Sequence, residues 1–90
     1  MTDDKAATND GIRAVLRNQG RIPGDMDSIA DDANLFTSGL TSLASVDVIL
    51  ALEERFGIEF PDHMMHRRTF ESISSIASAV QGLLEQKAGA

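Results

Sequence analysis

The sequence predicts an all-α fold, a four-helix bundle of three long helices and one short one with a long loop between the first two. Apolar residues recur at helical spacing in three separate stretches, around Ile12 to Leu16, Leu43 to Phe56 and Ile73 to Leu84. Residues of N-cap type stand ahead of these stretches, and Gly20 or Pro23 closes the first. The hydrophobic fraction of 42% is enough for a core, while an aromatic fraction of 4%, with no Trp or Tyr, leaves Leu, Ile, Val, Met and Ala to fill it. Ninety residues hold one domain with a single modest core.

The first helix is expected to start near Thr8, Asn9 or Asp10, leaving positions 1–8 as a flexible tail, and it turns Ile12, Val15 and Leu16 to one side. The segment from Gly20 to Gly39 is rich in turn formers and acidic, with Ile22, Met26, Ile29, Leu35 and Phe36 as anchors to the core. So long a structureless loop is uncommon in a compact domain, and a short helical turn is expected within it. The central helix follows, opening at Ser42 and running through Phe56 into Gly57-Ile58-Glu59-Phe60-Pro61-Asp62. Between Pro61 and Thr69 there is room for a short helix, Asp62 to about Arg67, contributing Met64 and Met65. The last helix starts at Thr69 or Ser72 and lines up Ile73, Ile76, Ala77, Val80, Leu83 and Leu84, leaving 9–86 as the domain and 87–90 as a second flexible tail.

At about 100° per residue from Leu43, the central helix carries two apolar stripes. Leu43, Val46 and Leu50 fall between about 300° and 360°, and Val48, Ile49, Leu52 and Phe56 between about 140° and 240°. The second set is larger and holds the aromatic, so it is assigned to the core. The first is then a surface strip flanked by Asp47, Glu53 and Glu54, a combination that suits protein docking: the strip supplies contact area and the carboxylates attract basic partners. Burial of the strip under the long loop is the alternative.

Composition narrows the function classes. With 14 acidic and 8 basic residues the net charge is −6, which argues against nucleic acid as a partner and favours basic protein surfaces and a monomeric state. Cysteine is absent, so disulfides, thiolate metal sites and a protein thiol nucleophile are excluded. The N-terminus has neither a basic nor an apolar signal region, and nowhere is there an apolar run of membrane-spanning length; a cytoplasmic protein without membrane contact is expected. An enzyme of this size would be unusual.

Ser42 opens the central helix, where free backbone N–H groups and the positive end of the helix dipole suit a phosphate ester. The competing reading is a plain N-cap, a role that Thr41 is also placed to take. Self-activated nucleophilic catalysis is disfavoured: Gly39-Leu40-Thr41-Ser42-Leu43 is not a nucleophile elbow, and only His63 and His66 are available as a base. His63 and His66, at i and i+3 on one face of the expected short helix, could bind a metal together with Asp62, but two imidazoles without a clear third ligand make a weak site, and no metal is expected.

From Leu35 to about Leu84 the chain resembles the acyl carrier protein family. The points of likeness are the glycine and leucine before Ser42, the leucine after it, and the run Ala51-Leu52-Glu53-Glu54-Arg55-Phe56-Gly57-Ile58-Glu59-Phe60-Pro61-Asp62. The resemblance implies a four-helix bundle of acyl-carrier-protein type in which a phosphopantetheinyl transferase attaches 4'-phosphopantetheine to Ser42. The arm's thiol then carries a thioester while the chain itself does no chemistry. It further implies that Leu43, Val46, Asp47, Leu50 and Glu54 form the face shown to partner enzymes. Two positions depart from the pattern. Thr41 stands where the family has Asp, and the usually acidic short-helix region reads His63-Met64-Met65-His66-Arg67-Arg68, a partly cationic face in which His63, His66 and Arg67 are assigned to partner contact.

The opening without Asp, the following Ala44-Ser45-Val46, and the Glu59-Phe60-Pro61-Asp62 to Arg67-Arg68 block with Phe70 are similar to a narrower group of small stand-alone carriers. Those are loaded with an amino acid by a ligase related to aminoacyl-tRNA synthetases, and this is the preferred subtype. A downstream acceptor enzyme is then implied as well. A carrier for fatty acid, polyketide or other acyl-chain synthesis, loaded by an acyltransferase or ligase, is the main alternative, and an unmodified docking domain is a third.

Overall fold

The structure is a computed structural model that describes residues 3–89. Helix α1 (Asp3–Val15) runs into a π-helical turn (Leu16–Gly20), and the loop beyond it contains a 3-10 turn (Met26–Ser28) and the short helix α2 (Leu35–Ser38). Helix α3 (Ser42–Phe56) is followed by two 3-10 turns (Asp62–Met64 and Arg67–Phe70) and by α4 (Ile73–Gly89). Among the described residues there are four α-helices and no strand, the expected class with its short member in a different place.

The core joins all the long elements. Ile12 and Leu16 from the first, Val48 and Leu52 from α3, and Ile73, Ile76 and Val80 from α4 are at most 1% exposed. The loop is pinned to them by Met26 and Leu35, both buried, and by the partly buried Ile22, Ile29 and Phe36, as its apolar residues suggested. Phe60 and Phe70 close one end edge to face, with ring centroids 5.2 Å apart.

Helix α2 forms because both its ends are capped. The Asn34 side-chain oxygen accepts from the N–H groups of Phe36 and Thr37, and the Gly39 N–H donates to the carbonyls of Leu35 and Phe36. Asn34 is itself held from a distance, donating to Glu71 Oε2 at 3.2 Å, while the Leu35 N–H donates to the Glu71 carbonyl at 2.7 Å. Gly39 leaves α2 at φ 128°, and a Cβ there would stand 2.6 Å from Pro23 Cδ. Gly39→Ala is therefore expected to cost about 1–3 kcal/mol from backbone strain alone, with the clash adding to it, read as a lowered midpoint in urea unfolding.

The short helix expected at Asp62 to Arg67 is instead a pair of 3-10 turns. No side chain caps its start at Pro61, and Met64 and Met65 donate three residues back, to the carbonyls of Pro61 and Asp62. Met65 (φ −84°, ψ 63°) then forms an inverse γ-turn, with the His66 N–H donating to the Met64 carbonyl, and His66 is extended. His63 and His66 therefore do not share a helix face, and of the two methionines Met64 packs on the core while Met65 is 47% exposed.

The helix ends also differ from expectation. Helix α1 begins at Asp3, well before the expected caps, and the Thr8 hydroxyl, buried, accepts a 2.7 Å hydrogen bond from Gln81 of α4. Helix α4 starts after Ser72, whose hydroxyl accepts from the Ser75 N–H while the Ser75 hydroxyl accepts from the Ser72 N–H, a reciprocal cap. It continues to Gly89, and Lys87 Nζ donates to the Gly57 carbonyl at the end of α3. The tails expected at 1–8 and 87–90 thus include helical positions 3–8 and 87–89; Met1, Thr2 and Ala90 lie outside the described residues.

Candidate functional site

The site begins with a division of labour between neighbouring hydroxyls. Thr41 is the N-cap of α3, its Oγ1 accepting from the Ala44 N–H at 3.0 Å. Ser42, the first residue of the helix, is exposed, and its hydroxyl has no hydrogen bond among the described residues. The plain-cap reading of Ser42 is thereby removed: the cap exists, and Thr41 supplies it. Ser45 donates to the Ser42 carbonyl at 2.6 Å, which steadies the first turn without engaging the Ser42 side chain.

A cleft of about 220 Å³ opens beside Ser42. Phe36 of α2, Ser45 and Ile49 of α3, and Met65, His66, Arg67 and Phe70 of the turns complete its wall. The Arg67 guanidinium carbon lies 4.1 Å from the centre of the Phe36 ring, a stack worth about 0.5–1 kcal/mol at an exposed position. His66 is exposed, with its ring 3.4 Å from the Thr69 hydroxyl. Ser42, His66 and Arg67 therefore share one cleft, and His63 is exposed but does not line it.

The two stripes of α3 separate as the angular count required. Val48 and Leu52 are buried and Ile49 and Phe56 pack partly on the core, while Leu43, Val46 and Leu50 are 79%, 53% and 60% exposed. Burial of the strip under the loop, the alternative, does not occur. Glu54 is exposed, and Asp47 is partly so with Arg21 3.9 Å away. Glu53 serves the fold instead, accepting from the Phe60 N–H at 2.9 Å. Sequence reasoning missed three contributors here: Phe36 as a cleft wall, Met65 as exposed apolar surface, and Arg21 as a neighbour of Asp47. Each lies on a short segment between the long helices.

The donor set suits a phosphodiester-linked arm. Ser42 offers an unengaged hydroxyl, the α3 N-terminus offers N–H groups and a positive dipole end, and Arg67 adds a cation on the same cleft. The cleft is smaller than the roughly 300–1,000 Å³ of a pocket that buries a whole ligand, so most of a long flexible arm would extend beyond it. Among the described residues no group of three or more His, Cys, Asp or Glu is placed to hold a metal ion, and no helix is long and apolar enough to cross a membrane.

Residues 10–80 match the family described as the phosphopantetheine attachment site, and the chain belongs to that family. An aminoacyl carrier protein of Agrobacterium fabrum is 44% identical over 82 residues, which cover 91% of this chain and 99% of that one. A mitochondrial acyl carrier protein of Arabidopsis thaliana is 39% identical over 61 residues, covering 67% of this chain and 47% of that one. The fold is similar to a carrier protein from Agrobacterium tumefaciens solved with an engineered Bradyrhizobium japonicum glycine:[carrier protein] ligase and ATP. That likeness has a TM-score of 0.80 and 44% identity, and it covers 82% of this chain and 96% of the other.

Proposed function

We propose that this protein is an amino-acid carrier: Ser42 bears the 4'-phosphopantetheine, and an amino acid:carrier-protein ligase loads the arm. The observation that carries the site assignment is the exposed, unengaged Ser42 hydroxyl at the start of α3, relieved of capping by Thr41. The near full-length likeness to an aminoacyl carrier, against a partial one to an acyl carrier, favours the amino-acid subtype.

In attachment, Ser42 Oγ attacks the phosphorus of coenzyme A that bears the pantetheine. The bond to the adenosine 3',5'-bisphosphate oxygen breaks, and the hydroxyl proton passes to a base on the transferase. The chain's part is to present that oxygen with no competing hydrogen bond and to place N–H groups and Arg67 near the resulting phosphodiester. When bound, the arm supplies the thiol, absent from this cysteine-free chain, on which an aminoacyl group is held as a thioester. Activation of the amino acid belongs to the ligase.

Leu43, Val46 and Leu50 are the apolar contact of the docking face, and Asp47 and Glu54 are its charged rim, facing the transferase, the ligase and a downstream acceptor in turn. His66 and Arg67 extend this face around the mouth of the cleft, and the exposed His63 is a further partner contact. Attachment draws on coenzyme A and loading on ATP, which supports a cytoplasmic location. The test is intact mass: after coenzyme A and a phosphopantetheinyl transferase the chain gains one arm, and after ATP, magnesium, glycine and a glycine:[carrier protein] ligase it gains one glycyl group. Gain of the arm with acceptance of fatty acyl groups and refusal of amino acids would make the cargo an acyl chain.

A further inference from the structure

The end of α1 is built unusually, and it points one side chain at the docking face. The π-helical turn Leu16–Gly20 packs against α3, with Leu16 and Gly20 buried. Beyond it Ile22 and Pro23 sit against Gly39, so the chain is held on both sides of Arg21. Arg21 takes up the difference in direction: it is the one non-glycine residue with positive φ among the described residues (φ 55°, ψ 33°). Neighbouring arginines serve the loop, Arg13 pairing with Asp31 at 2.6 Å and Arg17 with Asp27 at 3.0 Å. Arg21 instead crosses to α3 and lies 3.9 Å from Asp47 Oδ2.

This contact is poorly suited to holding the fold. Its side chains are 72% and 47% exposed and its separation is at the limit of an ion pair. Its location is more telling. Asp47 borders an open groove of about 440 Å³ whose other walls are Gln19, Leu50, Ala51 and Glu54. Its lining mixes the side chains of Leu50 and Ala51 with the carboxylates of Asp47 and Glu54, a fit for an arginine or lysine whose stem touches Leu50 or Ala51 and whose charged head meets a carboxylate.

We propose that Arg21 is a built-in competitor: its guanidinium holds Asp47 in the free carrier and must yield before a basic side chain of the loading ligase can take that carboxylate. The inference rests on the docking face proposed above. The strained backbone and the two anchored flanks keep the guanidinium near Asp47, and the weak pair lets it leave. A partner without a basic group at this point has no need to displace it, so Arg21 moderates the affinity of basic partners alone.

The test is the KM for carrier in glycine transfer by a glycine:[carrier protein] ligase, using arm-bearing protein. Arg21→Ala is expected to lower KM about two- to fivefold, with kcat and Tm unchanged. Arg21→Gly should give the same fall in KM while relieving the left-handed backbone, which guards against misfolding as the cause. Arg17→Ala makes the same change in net charge on the same turn and should leave KM unaltered. In an Asp47→Asn background, itself raised in KM, the Arg21 substitution should do nothing. A raised or unchanged KM for both Arg21 variants, or an equal fall in the Asp47→Asn or Arg17→Ala proteins, would overturn the competitor role. If Asp47→Asn and Leu50→Glu leave KM unaltered, the docking face itself is wrong and the role of Arg21 falls with it.

Discussion

Ser42→Ala is expected to fold as the native chain does and to gain no phosphopantetheine under conditions that modify the native chain completely. The stability half of this expectation follows from the cap. Thr41 closes the helix, so removing the exposed Ser42 hydroxyl should shift stability by no more than about 0.5 kcal/mol. Thr41→Ala, by contrast, deletes the hydroxyl that accepts from the Ala44 N–H and should cost about 1 kcal/mol in urea unfolding while leaving the serine available. The pair tests a division between two neighbouring hydroxyls, Thr41 holding the helix and Ser42 carrying the arm in the function proposed above. Intact mass and peptide mapping decide it, because an arm found on Thr41 or Ser45 in the Ser42→Ala protein would move the site.

Glutamate at Leu52 and at Leu50, two positions apart on α3, should have opposite consequences. Leu52 is fully buried in the common core, where truncation of a leucine alone costs roughly 2–5 kcal/mol and a carboxylate costs more by desolvation. Against a total stability on the order of 5–15 kcal/mol for a small domain, Leu52→Glu is expected to leave the chain largely unfolded by circular dichroism. Leu50 is 60% exposed, and glutamate there meets water. Leu50→Glu should keep the native Tm to within a few degrees yet raise the ligase KM about tenfold or more, since it places a charge in the middle of the proposed docking strip. A folded Leu52→Glu protein, or an unfolded Leu50→Glu protein, would reverse the assignment of the two stripes.

The residues that could be read in advance share one property: their signal is local. The 3.6-residue period set the stripes of α3 and α4, and burial divides them as the angular count required, Val48 and Leu52 inward and Leu43, Val46 and Leu50 outward. Ser42 at the start of α3 was legible for the same reason, since a cap-type pair after a glycine turn and before an apolar period marks a helix start wherever it occurs.

The short segments were settled by partners far away in sequence. Helix α2 is four residues long, too short to show a period, and exists because Glu71 holds Asn34 and Leu35 in place. The stretch from Asp62 was expected to be helical from its spacing, but without a cap at Pro61 and with Phe60 and Phe70 joined in one cluster it turns twice instead. Thr8, expected among the caps, is instead an interior helical residue whose hydroxyl accepts from Gln81 of α4, a partner distant in sequence. The contact of Arg21 with Asp47, 3.9 Å apart, was likewise not legible, since it joins the loop after α1, where Ile22 and Pro23 lie against Gly39, to α3. A long amphipathic helix carries its own instructions because each turn repeats them, whereas a turn of three or four residues has too few internal hydrogen bonds to choose its path and takes the one its tertiary contacts allow.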